Sequence, residues 1–233
     1  MRDVDAGQTT MQADPANQRT ALAALQTVAA SEYGAIYIDA TGRVTFQDRA
    51  LTASSAGGVV TYFADNGSGI PYNNVKWVLD DSQVYNSVTI TRTGGTVQTA
   101  TDAASVAKYF THSYNSAGLL METNAAALDL ANAFLASRKE TGVRVDSLTI
   151  DLNSPNNASV TAALALDFFA PIRIYTTQPL GTYLDETVQI FGISHDIRPN
   201  KWVTTWTTAQ PIIDSFILDS PLYGLLNTSV LSY

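Results

Sequence analysis

Apolar residues recur with helical period in two stretches of this chain and with strand period through much of the rest. Asp14-Pro15 forms a helix-opening signal, a capping carboxylate followed by proline at the first helical position. Ala21, Leu22, Leu25, Val28 and Ala29 then follow the i, i+3, i+4, i+7 spacing of an amphipathic helix, and Gly34 offers its stop. Thr123 opens the second helix. Ala127, Leu128, Ala131, Phe134 and Leu135 form its stripe, Arg138 and Lys139 occupy its last turn, and Gly142 ends it.

The strand-like segments are mostly joined by short turns. Residues 35–38 and 43–46 flank a turn over 39–42. Residues 84–101 read as a hairpin about Gly94-Gly95, with Val88, Ile90 and Val97 on one face and threonines on the other. Residues 143–152 alternate as a strand, 172–175 form a short strand, 178–181 a turn and 183–197 a long strand. The most regular layer is a hairpin over 188–208. Both faces of its first strand are apolar, Arg198-Pro199-Asn200-Lys201 is turn chemistry, and residues 202–208 are almost wholly aromatic or β-branched.

Less regular pieces lie between. Residues 50–74 are loop-like around one apolar piece, 59–63, and 75–80 form a short strand. Residues 105–110 fit either a strand or a short helix, and 160–166 a helical turn. In residues 211–233, Leu218, Leu222, Leu225, Leu226 and Leu231 are spaced to dock on something already folded. The sum is α+β, mainly antiparallel β with two amphipathic helices in helix–strand units. The expected division is an N-terminal arm (1–13), an α/β part with hairpins (14–152), and a third part with a C-terminal docking tail (153–233), which the resemblance given below implies to be β-barrel-like.

Composition narrows the function classes. The chain has 233 residues, 45% of them hydrophobic, enough for one large or two small cores. Its net charge is −8 and no basic stripe appears, so sequence-specific nucleic-acid binding is not expected. No apolar run reaches the roughly 18 residues of a membrane helix. Cysteine is absent, which removes disulfides and thiolate metal sites.

Candidate chemistry is sparse. Asp3-Val4-Asp5-Ala6-Gly7 faintly matches a calcium loop but lacks the later ligands. Gly67 and Gly69 lack the third glycine, lysine and helix of a phosphate loop. His112 and His195 have no metal-ligand spacing. Ser194, His195 and Asp196 contain the types of a hydrolytic triad, yet consecutive strand residues point to alternate faces. Asp80/Asp81 and Asp185/Glu186 are adjacent carboxylates beside turns. Trp202 and Trp206 share a strand face and, with Trp77, could stack on sugar. No catalytic, cofactor or metal residue is assigned.

Four segments in order resemble the tail-tip hub proteins of siphoviruses, the minor tail proteins of phages of actinobacteria. They are ALAALQTVAASEYGAIYIDATGRVTFQDR, NSVTITRTGG, FGISHDIRPNKWVTTWTT and the C-terminal FILDSPLYGLLNTSVLSY. The resemblance implies a non-enzymatic virion protein at the tail tip: a β-barrel-like hub with inserted α/β parts, three copies around the tail axis and no cofactor. Its implied partners are further copies of itself, the distal tail and tape-measure proteins, and the tip or receptor-binding proteins. An acidic surface is compatible with passing DNA without holding it. Hubs of this family carry an N-terminal β-domain before the helix, so the chain is expected to be the C-terminal part of a split or trimmed hub. The alternatives are a carbohydrate-binding β-module carried by the tryptophans and a cell-wall hydrolase using His195.

Overall fold

Thr20 starts the first helix, α1 (Ala21–Glu32), its hydroxyl accepting the N–H of Ala23 at 3.2 Å. The expected Asp14-Pro15 start is therefore six residues early, and Asp14 instead pairs with Arg19. Tyr33, at φ 59°, ends the helix rather than Gly34. Gly34 has another use: a Cβ there would lie 2.5 Å from the carbonyl oxygen of Gln47, so its bare backbone lets the chain pass. The computed structural model describes residues 2–7, 9–15, 19–39, 41–48, 60–153 and 157–210.

Three sheets follow. In the smallest, β2 (Ala35–Ile38) runs antiparallel to β3 (Val44–Gln47), and the N-terminal β1 (Arg2–Val4) adds parallel to β3. The Asp3–Gly7 stretch is thus a strand and its exit, with Asp3 in register with Thr45. Asp39 holds the β2–β3 turn. Its carboxylate accepts the N–H and hydroxyl of Thr41 at 2.8 and 2.7 Å and the N–H of Arg43 at 2.9 Å. The Thr41 hydroxyl, then the Arg43 N–H, hold this carboxyl down at about 2. A depressed carboxyl stabilises the fold above its unfolded pKa of about 4 and loses that contribution as pH falls toward 2. Asp39→Asn should flatten the fall of the thermal midpoint between about pH 4 and pH 2 relative to wild type.

The largest sheet has the order β4-β10-β11-β12-β9-β5, built from β4 (Thr61–Ala64), β5 (Asn74–Val78), β9 (Arg144–Asp151), β10 (Pro171–Thr177), β11 (Tyr183–Arg198) and β12 (Lys201–Ala209). Its strands come from both sides of residue 152. The long β11 pairs through its first half with β10 and through its second half with β12. No backbone pairing among the described residues joins the edge strands β4 and β5 into a closed barrel. One edge does reach across by a side chain: Trp77 on β5 donates its indole N–H at 3.0 Å to Thr176 on β10, the strand next to β4. Phe63, Leu148, Ile150, Ile172, Ile190 and Trp206 form the core under this sheet, together with Ala162 and Ala163 of α4 (Asn157–Ala165).

The expected loop over 50–74 is corrected where it is described: residues 61–64 are a strand parallel to β10, and Phe63 is fully buried. Only the partner strand reveals this, since the sequence around it is glycine- and serine-rich. A second correction concerns the first strand of the long hairpin. Val188, Gln189 and Ile190 are buried, but Phe191 is the extra residue of a bulge and is exposed. Between β10 and β11 the exposed Leu180 takes φ 71°, ψ 16°, a left-handed conformation. Leu180→Gly should stabilise the chain by about 1 kcal/mol, measured by urea denaturation.

The third sheet, order β7-β6-β8, consists of β6 (Ser87–Arg92), β7 (Gln98–Thr101) and β8 (Ser113–Leu119). Val97 lies outside the hairpin strands and is exposed, contrary to its expected place on the buried face. β8 has few large apolar residues and runs parallel to β6, so neither period nor a turn announced it. Asp102 caps α2 (Ala103–Tyr109), accepting the Ser105 N–H at 2.9 Å, which settles that segment as a helix. The second amphipathic helix, α3 (Asn124–Arg138), is capped by Thr123 as expected. It buries Ala127, Leu130, Ala131 and Phe134 against Val88, Ile90 and Met121. The architecture is α+β. Among the described residues no helix is long and apolar enough to cross a membrane.

The arm ties these parts together. The Gln12 N–H donates to the Leu120 carbonyl and the Glu122 N–H to Thr10, beside a bridge between Met11 and Met121. Tyr37 of the small sheet packs on Phe168 and Phe169, with ring centroids 5.4 and 5.7 Å away.

Candidate functional site

The hairpin of β11 and β12 carries the triad-like residues and separates them. His195 stands opposite Thr204, its Nδ1 2.8 Å from that hydroxyl oxygen. Ser194 and Asp196 project from the other face of the strand, as its period of two requires. Asp196 turns to the hairpin tip, accepting from Lys201 Nζ and Arg198 Nε at 2.8 Å each. Lys201, then Arg198, hold its carboxyl below the usual range. The geometry offers no Ser–His–Asp relay.

The carboxylate pairs are split as well, Asp185 and Glu186 by the strand period and Asp80 and Asp81, beyond the end of β5, by their separate partners. Asp185 binds Arg173 through both oxygens, at 2.8 and 2.5 Å, while the Arg173 guanidinium lies 5.3 Å from the Tyr62 ring centroid. Glu186 faces the opposite side beside Ile174, half-buried, and burial followed by the Asp185 charge raises its pKa. Asp80 grips Arg144 at 2.9 and 3.2 Å, and this contact holds the Asp80 carboxyl well below the usual carboxylate range. Its neighbour Asp81 lies 3.7 Å from Nε2 of His112. Neither pair faces a common space as a glycosidase pair must. The two histidines belong to different layers, and no three metal-capable side chains converge among the described residues.

The tryptophans pack inward. Trp206 is fully buried, 5.4 Å from the Phe63 ring centroid, and Trp202 packs against the same core. Their shared face is the core face. A sugar ring has no access to Trp206, and Trp77 is engaged with Thr176.

A feature unmarked by any motif lies between α1, α3 and the β6–β8 sheet. Ala29, Ala30, Tyr33, Tyr114, Leu130 and Phe134 line a half-open cavity of about 240 Å³. Tyr114 stacks on Phe134 at 4.3 Å, and Tyr33 meets it edge-on at 5.5 Å. Burial pushes the Tyr33 hydroxyl well above its ordinary pKa. The helical stripe gave Phe134 a buried position, but nothing local brought Tyr33 and Tyr114 to it.

No protein-family model matches the chain, and no curated protein matches it. Solved structures do. The tail protein from Neisseria meningitidis MC58 superposes with a TM-score of 0.59 over 89% of this chain, at 13% identity. The chain spans 61% of that protein's length. The 43 kDa tail protein of prophage MuSo2 from Shewanella oneidensis matches at a TM-score of 0.47 over 76% of this chain and 51% of that one, with 13% identity. The prophage tail protein gp18 from Listeria monocytogenes EGD-e matches at 0.45 over 89% and 59%, with 11% identity. The last two scores are too low to carry argument. The first shows a shared fold: this α+β arrangement is one that a tail protein adopts.

Proposed function

We propose that this chain is a structural, non-enzymatic component of a phage tail tip, a hub that joins the tail tube and distal tail ring to the tip and host-binding proteins. The observation that carries the reading is the likeness in fold to the Neisseria tail protein over 89% of the chain. The ordered sequence resemblance to siphovirus hubs points the same way. So does the placement of several candidate reactive groups: Trp206 lies in the core, Asp80, Asp185 and Asp196 are held in ion pairs, and His195 meets the Thr204 hydroxyl. In this reading the six-stranded sheet, with Trp77 reaching across from β5 to β10, is the barrel-like part of the hub. The chain works as a ring, with a trimer as the expected state, and occupies the virion at the end of the tail.

Multi-angle light scattering on the purified chain, alone and mixed with the distal tail protein of the same phage, tests this. A trimer, or a stable complex with the distal tail protein, supports the hub. A monomer that does not bind the distal tail protein overturns it.

A further inference from the structure

Leu22 and Leu25 of α1 are exposed, contrary to the burial that their spacing predicts, and the docking tail expected over 211–233 lies outside the described residues. The surface with the most ordered chemistry is the outer face of the six-stranded sheet at β4, β10 and β11. Ile172 and Ile174 of β10 are fully buried, so the strand period turns Arg173, Tyr175 and Thr177 to the opposite side. Register places Tyr62 beside Arg173, Asp185 beside Tyr175 and Tyr183 beside Thr177 on that same side.

These side chains brace one another. The Tyr62 ring packs under the Arg173 guanidinium and against Gly69, where a Cβ would lie 2.8 Å from it. Arg173 is clamped to both oxygens of Asp185. Tyr183 stacks on Tyr175, with ring centroids 5.2 Å apart and planes 20° from parallel. Asp65 accepts the Thr177 N–H and hydroxyl at 2.8 and 2.9 Å. The face is nevertheless open. Tyr183 is 61% exposed, and the Tyr175 and Tyr183 hydroxyls make no hydrogen bond among the described residues. An ion pair half in water adds little to stability, so folding alone does not account for an exposed arginine held by a carboxylate on one side and a ring on the other.

A fixed aromatic ring beside a planar two-pronged fork suits a pyranose. The ring takes the C–H face of the sugar, and guanidinium and carboxylate take its hydroxyls as donors and acceptors. Among residues 62–64, 173–177 and 183–187 no large aliphatic side chain points to this side, unlike the apolar centre of a protein–protein contact. Charge narrows the ligand further. Arg173 stands against Asp65 and Asp185 in a chain of net charge −8, so an acidic glycan is repelled and a neutral one is not. From Arg173 to Thr177 the strand rises about 13 Å, and the three strands span about 10 Å, room for a short oligosaccharide. We propose that this face binds a neutral glycan, one pyranose ring stacking on Tyr183 and its neighbouring hydroxyls bonding to the Arg173–Asp185 fork. Binding needs only the folded chain, so it stands whether or not the chain forms a hub.

An array of neutral and acidic oligosaccharides probed with the full chain tests this, followed by calorimetry with the neutral glycan that binds best. Tyr183→Ala and Arg173→Ala should each weaken binding about tenfold or more. Tyr183→Phe keeps the stacking ring and should stay within about threefold of wild type. Phe110→Ala, on the turn between α2 and β8, should leave binding unchanged. Thermal midpoints near the wild-type value, expected because Tyr183 and Arg173 are exposed, separate lost binding from lost folding. A further readout needs no variant: saturating the tyrosine ring protons of the wild-type chain should transfer magnetisation to the C–H face of the bound glycan. No binding of any neutral glycan, a preference for acidic ones, or neutral binding that both alanine variants retain would overturn the proposal. A chain that binds no glycan but loses the distal tail protein in Tyr183→Ala would overturn it in favour of a protein contact.

Discussion

Trp206→Ala should cost about 3–5 kcal/mol of folding stability, read as a large fall in the urea midpoint by circular dichroism. The indole lies at the centre of the six-stranded sheet, with Leu148 and Ile193 as its cross-strand neighbours and Phe63 stacked obliquely against it. Removing it opens a void under four strands. A domain has only about 5–15 kcal/mol to lose, so this is a large share of the total. Trp206→Phe separates volume from polarity. The indole N–H has no hydrogen-bond partner among the described residues, so replacing it with a phenyl ring sacrifices no bond. That variant should cost well under half as much as the alanine one. Had Trp206 been a sugar platform, alanine would have left stability intact.

Asn86→Ala should cost about 3 kcal/mol through a different mechanism. Asn86 is buried and its side chain pins the segment between α2 and β8, donating to the Phe110 carbonyl at 2.7 Å and accepting the His112 N–H at 2.8 Å. Phe110 sits at φ 62°, ψ −178°, a conformation that residues other than glycine rarely adopt, and the residue is 83% exposed. The amide holds that strained backbone in place. Without it, two backbone groups lose their partner and the strain has nothing to oppose it. Phe110→Gly in the Asn86→Ala background should recover about 1 kcal/mol by relieving the strain. Equal denaturation midpoints for the single and double variants would contradict this account.

Several elements were legible because their information is local. The hairpin over 188–208 follows from β-branched alternation and a proline–asparagine turn, and Asn200 does take a positive φ. The second amphipathic helix follows from its stripe and its Thr123 cap. The bulge at Phe191 was not legible: Gly192 opposes Thr207, where a Cβ would come within 3.2 Å of it, and that approach depends on the register of the partner strand. β8 and β4 were missed for a related reason. Both run parallel to strands distant in sequence, so neither carries a hairpin turn to announce it. The candidate chemistry behaved the other way round. Residue types suggested a triad, carboxylate pairs and a tryptophan face. The alternation of strands put Ser194, His195 and Asp196, and likewise Asp185 and Glu186, on different sides.

By itself, the sequence determined the α+β class, the two helices, the long hairpin and the resemblance to tail hubs, because period, caps and turns act within a few residues. The tertiary structure alone decided the order of the six strands, the burial of Trp206, and the cavity between Tyr33, Tyr114 and Phe134. Each of these depends on which distant segments come to lie side by side, and no local pattern encodes that pairing.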